Sequence, residues 1–331
     1  MLVLGIETTC DETSIAVVEN GKIVRANVII SSAEIHALYG GVFPELACRR
    51  HIEVLIPTIQ KALNTAGVTP QEIDLIAVAK GPGLIGALLI GLNAAKGLSI
   101  AWKKPFIGVH HVEAHLYAAL MNTPEPWSFP ALGLALSGGH TLMLKVFDVG
   151  HYECIGTTVD DAIGEAFDKV ASMLQLPYPG GPHIERLART GNPTRFPFQA
   201  GRVRNKRLNF SFSGLKTALL YAIRESQAAD HSDLAASFQE AAFRDLIEKS
   251  HLARESFPYQ AILFGGGVCS NQRLRERFAA EFPDTPLYWP TLAFSADNGA
   301  MIAGLGYHQF LRNPVGDPLD LEAMARIPLS K

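Results

Sequence analysis

The sequence predicts an α/β protein built from two related units, and three observations carry that expectation. The first thirty residues read as three strands joined by tight turns, residues 131 to 156 repeat the plan, and each triplet is followed by alternating helical and strand patterns. In the first triplet, Leu2 to Glu7 is an apolar strand and Thr-Thr-Cys-Asp-Glu-Thr a polar elbow. Ser14 to Val18 returns, Asn20-Gly21 is a hairpin signal, and Lys22 to Ile30 closes the set. Sliding the chain by 128 residues sets Leu4-Gly5-Ile6 on Leu132-Gly133-Leu134, Thr9 on Ser137, Cys10-Asp11 on Gly138-Gly139 and Thr13 on Thr141. An ungapped match of this kind points to an internal duplication.

Beyond the first triplet, Pro44 opens a helix with apolar positions Leu46, Ala47, Leu55, Ile56, Ile59, Ala62 and Leu63, which Gly67 closes. A strand is predicted at Asp74 to Ala79, a Gly/Ala/Leu-rich helix after Gly81-Pro82-Gly83 as far as Trp102, and a strand at Phe106 to Val109. The second half shows helical patterns near 163–175, 214–227, 233–255 and 296–311, and an apolar strand at Ala261 to Phe264. Two hairpin-led α/β units of this kind match the two-lobed actin-like ATPase plan shared by sugar kinases and heat-shock ATPases, a pair of duplicated RNase H-like units with a nucleotide site between them. The expected lobes are 1–107, with 297–331 packing back on it, and 108–296.

Composition narrows the class. At 48% hydrophobic and 18% charged, 331 residues can bury two cores, which excludes disorder as the main theme. The longest strongly apolar stretch, Gly81 to Ala95, is shorter than the roughly 20 residues that span a bilayer. The opening Met-Leu-Val-Leu-Gly-Ile lacks the basic flank of a secretory leader. Four dispersed cysteines with no C-x-x-C pair argue against a disulfide framework, so a cytoplasmic location is expected, without a membrane partner.

The net charge of −3 is unevenly spread. Arg186 to Arg224 holds nine basic residues and no acidic one, so the remaining 20 basic and 32 acidic groups sum to −12. Within this segment Arg202, Arg204, Lys206 and Arg207 sit close to Phe210 and Phe212, with Phe196 and Phe198 upstream. Cations for phosphates and aromatic faces for splayed bases suit an RNA-binding surface. A solvated basic face over core phenylalanines fits the same composition.

Three patterns carry chemistry. His111 and His115 are four apart, so on a helix both imidazoles share a face and can meet one metal ion. Glu113 would point away, and the zincin order is absent. A carboxylate would complete the two-histidine, one-carboxylate set that suits ferrous iron. Asp297, at the start of the last helix, is the candidate by type, an ordinary N-cap being the alternative. Glycine loops at Ser137-Gly-Gly-His-Thr141, Tyr178-Pro-Gly-Gly-Pro182 and Gly265-Gly-Gly-Val-Cys-Ser-Asn271 offer backbone N–H groups to a phosphate or nucleoside. No P-loop sequence is present. Carboxylates cluster at Asp11-Glu12 on the first elbow, where they could act as a general base. A second cluster lies at Asp160, Asp161, Glu165 and Asp168, where helix capping accounts for Asp160 and Asp161.

Taken in order, these motifs resemble the TsaD (Gcp) family of tRNA N6-adenosine threonylcarbamoyltransferases. The resemblance runs from Gly5-Ile-Glu-Thr-Thr-Cys-Asp-Glu-Thr13 through His110-His-Val-Glu-Ala-His115, Leu136-Ser-Gly-Gly-His-Thr141, Asp160 to Lys169 and Phe210-Ser-Phe-Ser-Gly-Leu-Lys216 to Asp297-Asn-Gly-Ala-Met-Ile-Ala303. The resemblance implies transfer of threonylcarbamoyl from threonylcarbamoyl-AMP to N6 of adenosine 37, in tRNAs that read codons beginning with adenine. It implies metal ligands at His111, His115 and Asp297, one divalent metal per subunit, Fe2+ with Zn2+ or Mg2+ as alternatives. Substrate contacts fall on Ala135, Leu136, Ser137, Gly138, Gly139, Asp168, Gly181 and Asn271. Beside what the resemblance implies, the elbow carboxylates Asp11 and Glu12 are the expected catalytic residues, deprotonating the attacking amine. Partners implied are tRNA, a smaller TsaB-like paralogue and a small TsaE-like ATPase. A metallopeptidase, a sugar-kinase-like phosphotransferase and a nucleotide-gated partner-binding ATPase are the competing classes. The departures from the family pattern, Ala135-Leu136, Cys269-Ser270 and Ala296, remove none of these donors.

Overall fold

The computed structural model describes every residue except 38, 40, 226–230 and 330–331. In chain order its first elements are strands β1 (Leu2–Glu7), β2 (Glu12–Glu19) and β3 (Ile23–Ser31) and helices α1 (Ala33–Ala37) and α2 (Pro44–Ala66). Strand β4 (Leu75–Gly81), helix α3 (Ile85–Trp102), strand β5 (Phe106–His110) and helix α4 (His111–Met121) follow. Then come β6 (Ala131–Leu136), β7 (Thr141–Asp148), β8 (His151–Thr157), α5 (Ile163–Met173), α6 (Gly180–Ala188), α7 (Ser213–Glu225), α8 (His231–Ser256), β9 (Ala261–Gly265), α9 (Gln272–Glu281) and β10 (Leu287–Tyr288). The chain closes with α10 (Leu292–Ser295), α11 (Gly299–Arg312) and an irregular tail.

The chain divides into two compact units, 1–125 with 290–331, and 126–289. The expected boundary at 107/108 thus falls at 125/126, and that at 296/297 falls at 289/290. The physical reason is α4: all eleven of its residues are buried, and it packs with α11 on the first unit's sheet.

Each unit holds one five-stranded sheet, ordered β3-β2-β1-β4-β5 in the first and β8-β7-β6-β9-β10 in the second. The duplication reaches the register: Gly5 pairs with Ala16 and Gly133 with Leu144, each 128 residues further on, as do Glu7 with Ser14 and Ala135 with Leu142. The first hairpin turns through Asn20 and Gly21, both at positive φ, as the Asn-Gly dipeptide requires.

Side chains alternate across β1, and this alternation positions the site. Leu4 and Ile6, with Ile15 and Val17 of β2, join a core with Leu55, Ile59, Ala62 and Leu63 of α2 and Leu92 and Ala95 of α3. Gly5 and Glu7 face the other way. A Cβ on Gly5 would lie 2.1 Å from the Gly299 carbonyl oxygen, so α11 rests directly on β1.

Among the described residues the sequence-predicted helices and strands are present, with shifts; residues 226–227 of the helix expected at 214–227 lie outside them. Helix α2 has Pro44 in its first turn and ends on Gly67 in the left-handed region. Its Ile56 is exposed, however, and Leu46 half-buried. The last helix starts at Gly299 rather than 296. Tyr178-Pro-Gly-Gly-Pro182 is not a free loop, because Gly180 opens α6. Helix α3 is long and apolar enough to cross a membrane by length and composition. In the fold it packs on β4 and α2 through Ala87, Leu88, Gly91, Leu92 and Ala95.

Candidate metal centre and nucleotide loops

In the first unit, α4 and the segment that leads into α11 bring three donors together. His111, His115 and Asp297 present one ligand atom each, all within 4.8 Å of one another. His115 Nε2 lies 3.0 Å and His111 Nε2 3.7 Å from Asp297 Oδ1. The helical spacing puts both rings on one face of α4, where they meet edge to face with centroids 4.6 Å apart. Asp297 is not the N-cap of α11. Asn298 takes that role, its Oδ1 accepting from Met301 N, and so leaves the Asp297 carboxylate to the histidines. Glu113 turns elsewhere, accepting from Gln309 Nε2.

Glu7 enters as a residue the sequence reading did not assign. Its carboxylate is fully buried, with Oε2 accepting from His111 Nδ1 at 2.9 Å and Oε1 from the Thr9 backbone N–H at 2.6 Å. Burial works against the His111 cation, but the charges of Glu7 and Asp297 outweigh it and raise His111 to about 9. A second unassigned residue, His110, caps α4: Nδ1 accepts from Glu113 N, and Nε2 donates to the Ile327 carbonyl of the tail. Burial, first of all, lowers His110 to about 4, so it is neutral in both roles.

The elbow between β1 and β2 carries Asp11 and Glu12, and two buried histidines brace it. His51 of α2 donates from Nε2 to the Cys10 carbonyl at 3.0 Å and accepts at Nδ1 from Thr13 Oγ1 at 2.7 Å. His36 Nε2 lies 3.0 Å from Ser32 Oγ, which donates to the Asp11 carbonyl at 2.7 Å. Glu12 Oε1 accepts from Ser31 Oγ at 3.2 Å. Burial, then the charges of Asp297 and Asp11, push Glu12 up to about 10. A cation beside Asp297 would remove the second of those causes.

In the second unit the glycine loops gather at the ends of β6 and β9. Ala135 and Leu136 are buried, so only their backbone is on offer, whereas Gly138 and Gly139 are exposed. Ser137 closes a turn, its N–H donating to the His140 carbonyl and its Oγ accepting from His140 N. A Cβ on Gly266 would meet the Leu136 carbonyl at 2.3 Å, which places the triple glycine against this turn, and one on Gly164 would meet Gly138 N at 2.8 Å. Asp168 holds the start of α6 by accepting from Gly180 N at 2.7 Å, next to Gly181, where a Cβ would meet nothing. Asn271 caps α9, its Oδ1 accepting from Leu274 N, and its Nδ2 donates to Gln239.

Asp160 and Asp161 are also structural, though not as caps of their own helix. Asp160 accepts from Ser211 Oγ, Ser213 Oγ, Phe212 N and Ser213 N, and so anchors the start of α7. Asp161 pairs with Lys169 and Lys216. The basic segment splits in two. Arg202, Arg204, Lys206 and Arg207 are exposed, and the side chains of Arg204, Lys206 and Arg207 make no ion pair or hydrogen bond among the described residues. Phe198, Phe210 and Phe212 belong to the core, with half-buried Phe196 packed on it, so three of the four phenylalanines are withdrawn from any RNA-binding surface.

Two repeated units with the same five-stranded order, one of them carrying a His-His-Asp cluster, define an actin-like ATPase-fold protein with a candidate metal centre. The solved structures agree on the fold. Full-length HypF superposes with a TM-score of 0.65 at 13% identity, covering 96% of this chain, which spans about half (47%) of that chain. Component A of the Acidaminococcus fermentans (R)-2-hydroxyglutaryl-CoA dehydratase gives 0.54 at 13% identity, covering 93% of this chain and 98% of that one. The family model for TsaD, tRNA N6-adenosine threonylcarbamoyltransferase, matches residues 23–304. Proteins of that name from Protochlamydia amoebophila and Chlamydia trachomatis serovar L2b are 55% and 48% identical. They cover 99% and 94% of this chain and 98% and 93% of their own lengths. The chain belongs to the tRNA N6-adenosine threonylcarbamoyltransferase family and is a transferase.

Proposed function

We propose that this chain transfers the threonylcarbamoyl group of threonylcarbamoyl-AMP to N6 of adenosine 37, in tRNAs reading codons that begin with adenine, and releases AMP. The observation that carries the reading is the convergence of His111, His115 and Asp297 within 4.8 Å in a chain of this family. Two imidazoles and a carboxylate on one side of a site suit a divalent metal with open positions, Fe2+ first and Zn2+ or Mg2+ as alternatives. When bound, the metal supplies Lewis-acid stabilisation to the phosphate or threonyl end of the donor.

The donor is a carboxylic-phosphoric mixed anhydride, so AMP is already a good leaving group. N6 forms a C–N bond to the carbamoyl carbon, the carbon–oxygen bond to phosphate breaks, and N6 loses a proton. The protein's main task is to orient the reactants and stabilise charge on the oxygens. The backbone N–H groups of Gly138 and Gly139 would donate to the donor's oxygens. The triple glycine, with Asp168, Gly181 and Asn271, would seat the adenosine. Asp11 or Glu12 is the elbow carboxylate that would take the N6 proton. Arg202, Arg204, Lys206 and Arg207 would meet tRNA phosphates.

A smaller TsaB-like paralogue and a TsaE-like ATPase complete the proposed machinery, in the cytoplasm. An exposed apolar surface supports a protein partner: Ile52 and Ile56 of α2, and Ile85 and Leu89 of α3, form two i,i+4 pairs that face solvent on packed helices. The test incubates the chain and its partners with unmodified tRNA, threonine, bicarbonate and ATP, then digests the tRNA. A threonylcarbamoyl mass increment on adenosine is expected. Replacing His111 and His115 together abolishes bound metal and transfer while circular dichroism keeps the fold. Full transfer by that double variant without metal would sink the metal reading.

A further inference from the structure

We propose that Glu7 is the positioning residue of the metal centre, its two carboxylate oxygens fixing the His111 tautomer and tying that ligand to the elbow that carries Asp11 and Glu12. The inference rests on the metal reading of His111, His115 and Asp297 and adds to it a residue outside that set.

The argument is geometric. A metal-bound imidazole offers one nitrogen to the ion and keeps a proton on the other, and whatever accepts that proton decides which nitrogen faces the metal. In His111 the nitrogen nearer Asp297 is Nε2, while Nδ1 lies 2.9 Å from Glu7 Oε2. The Glu7 carboxylate is fully buried, so no water competes for that oxygen, and of the two neutral tautomers only Nδ1–H matches the acceptor. Nε2 is then free to ligate.

The second oxygen is committed as firmly. Glu7 Oε1 accepts from the Thr9 N–H at 2.6 Å, and the Thr9 hydroxyl lies 3.4 Å from His111 Nδ1 and 3.5 Å from Asp297 Oδ2. The carboxylate therefore spans the two chain segments of the site, α4 and the elbow. Displacing it moves a ligand and the catalytic loop together. The alternation of β1 explains how it comes to be there. Glu7 is the last residue of the strand and points to the face opposite Leu4 and Ile6, the face on which α11 packs. His115, by contrast, has no such brace, since its buried Nδ1 finds no hydrogen-bond partner among the described residues. The outer carboxylate serves His111 alone.

The experiment measures metal binding on the full chain, with Zn2+ and Co2+ as probes in competition with a chelator. Glu7→Gln keeps the shape but replaces one acceptor oxygen by a donor. It should weaken either ion by about ten- to a hundred-fold, with the unfolding midpoint retained. Equal affinity in wild type and Glu7→Gln overturns this inference and leaves the metal site standing. Absence of metal binding in the wild type overturns both. A second measurement needs no variant: nitrogen NMR of the Zn2+-loaded wild type should show His111 protonated at Nδ1 and ligated through Nε2. The opposite assignment overturns the proposal, even where Glu7→Gln does not fold.

Discussion

Replacing His51 tests whether the elbow is held by its surroundings or by its own backbone. His51 is 1% exposed and makes two hydrogen bonds, at 3.0 Å to the Cys10 carbonyl and 2.7 Å to Thr13 Oγ1, and Thr13 is itself fully buried. His51→Ala strands the Thr13 hydroxyl out of reach of water and leaves a cavity, while the Cys10 carbonyl, on a half-buried residue, can recover a water. A buried group left unsatisfied costs about 1–3 kcal/mol, and the cavity raises the sum to about 2–4 kcal/mol. His51→Gln can rebuild both bonds with its amide and should lose about 1 kcal/mol or less. The assay is the urea midpoint with its m-value, read on the transition of the first unit if two are resolved. Transfer by His51→Ala should fall about a hundred-fold through displacement of Asp11 and Glu12. Burial, foremost, lowers the His51 pKa from its ordinary 6.5, so the fold favours the neutral ring. The unfolded chain therefore takes up the proton first as pH falls. This stabilisation is complete above about pH 6.5 and is lost as pH drops toward the folded value. The stability gap between wild type and His51→Gln should shrink, or change sign, from pH 7.5 to 5.5. An unchanged midpoint and full transfer in His51→Ala, or a gap that widens in acid, would refute the reasoning.

Two further outcomes are expected. Neutralising Arg202, Arg204 and Arg207 should weaken tRNA binding and make the slope of log K against log salt shallower by about 2–3, while threonylcarbamoyl-AMP binding is unchanged; filter binding across a salt series checks it. Gly5→Ala should destabilise by about 3 kcal/mol or more, because its Cβ would meet the Gly299 carbonyl at 2.1 Å and the Ala303 Cβ at 2.9 Å, where a strand and a helix touch and neither backbone can yield. Thermal unfolding gives the number.

Legibility followed sequence separation. Pro44 and Gly67 mark both ends of α2 because helix termini have their own local chemistry. Helix α4 escaped the periodicity reading for the opposite reason. Every one of its residues is buried, so it has no polar face to set a period, and only the His111–His115 spacing hinted at it. Helix α6 was hidden because Gly180 and Gly181 look like a loop until Asp168, on another helix, takes the Gly180 N–H. The phenylalanines near the basic stretch were ambiguous in sequence, since an aromatic that stacks on a base and one that fills a core have the same composition.

The sequence by itself determined the duplication, the strand pairing within each hairpin, the class of ligand set and the uneven charge, because each is written in neighbouring residues or in a fixed offset of 128. Tertiary structure alone decided which carboxylate orients His111, which histidines hold the elbow and that Asp160 serves α7. Glu7 and His111 are 104 residues apart, and His115 and Asp297 are 182. Such contacts leave no local pattern. They arise only when β1 turns its alternate side chains toward α4 and α11, and burial then makes each remaining polar atom find its partner.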